Sequence, residues 1–118
     1  VKRFLLAFAA LTLAVGAVMH ASAFKKITEA IADSNLAAFA ANSLKVLWLQ
    51  DSAISLILAI IFGLVAIRPA AAARSTIALL ALIPAATAIL IYTFIGSFIG
   101  GHIMLLAAVA AFVGGLVK

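Results

Sequence analysis

Four long apolar runs, broken by short polar interruptions, make up nearly all of the chain. They cover about residues 3–24, 44–67, 76–99 and 101–117. Each lies near the roughly 20 residues that a helix needs to cross the hydrocarbon layer of a bilayer. The pattern predicts an all-α membrane protein: an antiparallel bundle of four transmembrane helices in a single domain, residues 1–118.

The interruptions place the ends of these helices. Residues 25–43 mix Lys25, Lys26, Glu29, Asp33, Ser34, Asn35 and Asn42 with Ile27, Ile31, Leu36 and Phe39. The spacing of Ile27 from Ile31 and of Leu36 from Phe39 suits short helical turns on the bilayer surface, with Asp33 or Ser34 capping the second. Ser43 is expected to cap the second span and Trp48 to sit in the interfacial aromatic belt. Arg68-Pro69 ends that span, and Ser75 caps the third. Pro84 inside the third span removes one backbone donor and crowds the carbonyl of Leu80, which predicts a kink. Gly100 and Gly101 suit a tight reversal into the fourth span, which Lys118 closes. The first run has a second reading. Its basic start and its Ala21-Ser22-Ala23 ending fit a cleaved signal, which would leave three spans, but its apolar stretch exceeds the usual 7–15 or so residues of a signal core.

Composition narrows the class. The chain is 69% hydrophobic and 9% charged, against roughly 45–50% and 25% in soluble domains. A soluble protein of this length could not hide so much apolar surface. The net charge of +5 does not point to nucleic acid, because the eight Lys and Arg sit at the ends of apolar runs and form no basic stripe. They report topology instead. Lys2, Arg3, Arg68, Arg74 and Lys118 fall on the side of the termini and Lys25, Lys26 and Lys45 on the other, five against three. This places the termini of a multi-pass cell-membrane protein in the cytoplasm, the membrane being the inner one in a Gram-negative cell. With no cysteine, disulfides, thiol chemistry and Cys-ligated metals are excluded.

Within lipid, close approach through small residues drives helix association. Gly16 belongs to such a stripe on the first helix, Ser55, Ala59 and Gly63 on the second, Ala78, Ala81, Ala85 and Ala88 on the third, and Ala107, Ala111 and Gly114 on the fourth. These faces are expected to look inward or to meet another subunit of a homo-oligomer or larger membrane complex.

Asp51 is the one acid inside an apolar span, where a charge costs about 2.5–3.5 kcal/mol on insertion scales. At 1.5 Å per residue it lies ~9 Å from Lys45, while His20 lies ~7 Å from Lys25 and Tyr92 ~9 Å from Phe98. Asp51, His20 and Tyr92 are therefore expected at one depth as a ligand or proton site under the outer surface. His102 starts the fourth helix on the same side, and Gln50, Ser52, Thr93 and Ser97 add polar groups nearby. Three readings follow: a hydrogen-bonded knot that fixes helix register, a proton-responsive site, and ligation of haem or a metal ion through His20 and His102, with Asp51 as a further metal ligand. No Cys or local His-x-x-His signature supports the last, so the expectation is no cofactor and no metal site. There is no phosphate loop, nucleophile elbow or paired-carboxylate motif, no Ser-His-acid set emerges from spacing, and no motif of a known family is present. The expectation is a non-enzymatic structural or accessory bundle, or a subunit of a membrane complex. The alternative is a small transporter or proton-linked sensor built on Asp51 and His20.

Overall fold

The computed structural model describes residues 1–117, so Lys118, expected to close the last helix and counted with the basic residues on the terminal side, lies outside the described residues. Among the described residues five α-helices follow one another: α1 (Lys2–Ser22), α2 (Phe24–Ala32), α3 (Ala38–Ile67), α4 (Arg74–Phe94) and α5 (Ile99–Leu116), with a single 3-10 turn at Pro69–Ala71 between α3 and α4. No strand occurs among the described residues. Four helices are long and apolar enough to cross a membrane: α1 continued by α2, then α3, α4 and α5. The helical state follows from runs dominated by Ala and Leu, the strongest helix formers, with few side chains able to compete for backbone hydrogen bonds. The 30 residues of α3 reach about 45 Å and account for much of the 52 Å length of a molecule 24 by 19 Å across.

Several helix ends differ from the sequence expectation. Helix α3 starts at Ala38 with Ala37 as its N-cap, six positions before Leu44. Ser43 caps nothing; its hydroxyl donates to the Phe39 carbonyl within the helix, 2.8 Å away. The reason is local: Ala37, Ala38, Ala40 and Ala41 favour helix, and Asn42, Ser43 and Lys45 are polar without being breakers. Asp33 ends α2 and does not start a helix. Ser34 donates to the Ile31 carbonyl at 2.6 Å, which leaves residues 33–37 as the short link to α3. Likewise α4 starts at Arg74 behind the extended Ala73, and Ser75 lies inside its first turn without a capping bond. Helix α4 runs unbroken through the buried Pro84.

The reversal expected at Gly100-Gly101 lies earlier. Helix α4 stops at Phe94, and Gly96 takes φ +90°, the one left-handed backbone among the described residues. The N–H groups of Ile95 and Gly96 both donate to the Ile91 carbonyl, which satisfies the end of the helix. Gly100 and Gly101 belong to α5, where Gly101 admits the side chains of Ile91 and Tyr92 to within 3.1 Å of where a Cβ would stand.

Helix α1 is central, packing on α3 and on α5, while α4 packs mainly on α5 and barely touches α3, its predecessor in sequence. Phe62, Leu6, Leu13, Ile77 and Val65 are fully buried between them, beside Ala9, Ala59, Ala81, Ala107 and Ala111. Ser55, Gly16 and Gly114 are buried as well, and Gly63 is half-buried. The closest approaches rely on absent side chains. A Cβ on Gly16 would lie 2.9 Å from the Ile103 side chain, and one on Gly115 would lie 3.1 Å from the backbone nitrogen of Ala78 and 3.3 Å from the carbonyl oxygen of Arg74. Backbone cannot swing aside as a side chain can. We therefore expect Gly115→Ala to lose about 1–3 kcal/mol of stability through overpacking. Gly63→Ala meets only the Ala10 methyl at 3.8 Å and should stay within about 1 kcal/mol of the parent. Unfolding titrations in mixed micelles with a denaturing detergent compare the two.

Candidate functional site

The last turn of α1 meets the first half of α3 through four polar side chains. Trp48, Asp51 and Ser52 stand three and four positions apart on α3, so all address one neighbour. That neighbour is His20. Its imidazole stacks on the Trp48 indole, with ring centroids 3.9 Å apart and planes 14° from parallel. The indole N–H donates to the His20 carbonyl at 2.8 Å, an acceptor that the Ala23 N–H also uses at the end of α1. Ser52 Oγ lies 2.8 Å from His20 Nδ1, and Asp51 Oδ2 lies 3.7 Å from Nε2. Each ring nitrogen of His20 thus faces one polar side chain, Ser52 at Nδ1 and Asp51 at Nε2. Two of these partners, Trp48 and Ser52, were not anticipated as contacts of His20. Their spacing relative to Asp51 carried the information, but only the partner helix shows which face the spacing addresses.

Tyr92, expected beside Asp51 and His20, belongs elsewhere. Its hydroxyl lies 2.7 Å from Nδ1 of His102, and Ser97 Oγ lies 3.4 Å from the other ring nitrogen. This exposed cluster ties the end of α4 across the turn to the start of α5. The cause is the packing of α4 on α5 instead of α3. Of the nearby polar residues, Thr93 donates to the Ile89 carbonyl of its own helix and Gln50 is exposed. The two histidines thus sit in separate hydrogen-bonded clusters, each with both ring nitrogens facing partners. Among the described residues no group of three His, Asp or Glu side chains converges.

Where α3 and α4 part, at the ends away from their connection, a partly open cleft of about 300 Å³ remains. His20, Trp48 and Asp51 form one wall, and Thr87, Phe98 and Ile103 stand among the otherwise mostly apolar residues of the others. The volume is at the lower end of the roughly 300–1,000 Å³ typical of small-molecule sites.

Ser52, His20 and Asp51 are the residue types of a hydrolytic triad, and the fold joins them although Ser52 is 32 positions from His20. Their geometry favours positioning over nucleophilic attack. Ser52 is 8% exposed and is not part of the cleft wall, whereas a nucleophile must present its oxygen to the substrate. The 3.7 Å ion-pair distance also exceeds a hydrogen bond.

No family model, curated protein or solved structure matches the chain.

Burial separates the two hydrogen-bonded histidines in energy. Ser52→Ala leaves a part-buried ring nitrogen unpaired and should cost about 1–2 kcal/mol, while Tyr92→Phe removes an exposed bond of similar length and should cost less than about 1 kcal/mol. Thermal unfolding of both variants in the same detergent makes the comparison, and equal losses would contradict the assigned network.

Proposed function

We propose that this protein is a non-enzymatic, multi-pass membrane bundle that holds a small apolar or amphipathic molecule in the cleft between α3 and α4, as a binding or accessory component of the membrane. The helices cross the bilayer in alternating directions with the amino terminus in the cytoplasm, following the excess of basic residues on that side. Support for insertion comes from the outward faces, where Leu11, Val18, Ile60, Leu79 and Leu106 are each more than half exposed. So continuous an apolar exterior suits lipid and not water.

The observation that carries the binding reading is the cleft itself. A space of about 300 Å³ with one polar wall, made by His20, Trp48 and Asp51, and mainly apolar walls elsewhere matches the usual design of a small-ligand site: apolar surface for affinity and a few converging polar groups for orientation. Ser52 lies behind His20, off the cleft, which supports binding over turnover. A second reading, a proton-linked transporter or sensor, is favoured by the exposure of both members of the His20 and Asp51 pair, 25% and 32%, since a bound molecule or a proton can then reach either.

Trp48 is the sole tryptophan and lines the cleft, so its fluorescence reports occupancy directly. In phosphatidylcholine vesicles, a bromophenyl-alkyl alcohol should quench it saturably. Thr87→Phe, which fills the cleft from α4, should leave the protein folded and reduce quenching to the weak, linear response of free partitioning. Saturable quenching that is unchanged in the filled variant would overturn the reading.

A further inference from the structure

The polar wall of the cleft is one-sided in its hydrogen-bonding capacity. The indole N–H of Trp48 is committed to the His20 carbonyl, and the Thr87 hydroxyl donates to the Ile83 carbonyl. The imidazole is held between Ser52 and Asp51. What stays open is an acceptor. The Asp51 side chain is 32% exposed, and the nearer His20 ring nitrogen is 3.7 Å away, beyond hydrogen-bond length. Asp51 lines the cleft, and a carboxylate has room for about four hydrogen bonds. Among the described residues no Lys or Arg lines the cleft. Trp48 and Phe98 add aromatic surface on the wall, which attracts cations at close range.

We infer that the cleft selects an amphipathic amine: an ammonium group donating to Asp51, attached to an apolar body of roughly ten water-sized groups, the number that ~300 Å³ accommodates. This rests on the cleft-binding reading above and adds the chemical class of the ligand. Asp51 is the recognising residue, and His20 positions its carboxylate. Anionic and carbonyl-bearing molecules find no free side-chain donor there. An ammonium bound there offsets the cost of placing a carboxylate in an apolar span.

The test uses three bromophenyl-alkyl compounds with the same body and different heads, an ammonium, an alcohol and a carboxylate, titrated against the Trp48 fluorescence of the full chain in phosphatidylcholine vesicles, whose surface carries no net charge. The ammonium should quench at roughly tenfold lower concentration than the alcohol, as a charge-assisted hydrogen bond implies, and the carboxylate should be weakest. Asp51→Asn should remove the advantage of the ammonium while the alcohol still quenches saturably, and Asp51→Glu should keep it. Equal potency of ammonium and alcohol, tighter binding of the carboxylate than of the ammonium, or a preference for the ammonium that survives Asp51→Asn would overturn the inference and leave the cleft-binding reading intact. Saturable quenching by none of the three would remove both.

Discussion

At both ends of α5 a missing side chain sets the distance to α4. Gly115 lies against the backbone of Ala78 and Arg74, and Gly101 against Ile91 and Tyr92. In the proposed lipid setting, where helices gain little from hiding apolar surface, such close approach is a main source of association energy, and here it holds α4 against α5 at both ends. Helix α1, centred on the buried Leu6, Ala9 and Leu13, takes α3 on its other flank. The space between α3 and α4 is what remains. The cleft is therefore a consequence of how the other helices pack and needs no element of its own.

The polar groups follow the same geometry. His20 ends up between the Trp48 ring and the Ser52 hydroxyl because α1 and α3 are neighbours, and Tyr92 pairs with His102 because α4 and α5 are. One side of the His20 cluster is closed, with Ser52 buried and hydrogen-bonded. The other side is open, with Asp51 on the cleft wall. A single cluster thus links two helices and places a carboxylate on the cleft wall. The choice between a structural knot and a site, posed by the sequence, is resolved in the proposed reading by giving the two roles to different members: Ser52 and Trp48 hold His20, and Asp51 faces the ligand.

Composition and periodicity alone settled that this chain makes four helices of membrane-spanning length, because long apolar runs admit no other way of satisfying their backbone in lipid. They also singled out Asp51 and His20, since an ionisable group in an apolar run is conspicuous by its cost. Helix ends were harder to read. Ser43 and Ser75 looked like caps, but an alanine-rich stretch extends a helix past them, and the turn fell at Gly96, where a left-handed residue was needed, and not at the glycine pair. The roles of Gly115, Trp48, Ser52 and the Tyr92–His102 pair were decided only by the tertiary structure. Depth along a helix can be counted from sequence at 1.5 Å per residue, but which helix stands opposite depends on side-chain packing between segments far apart in the chain, and that choice leaves no periodic mark on any one of them.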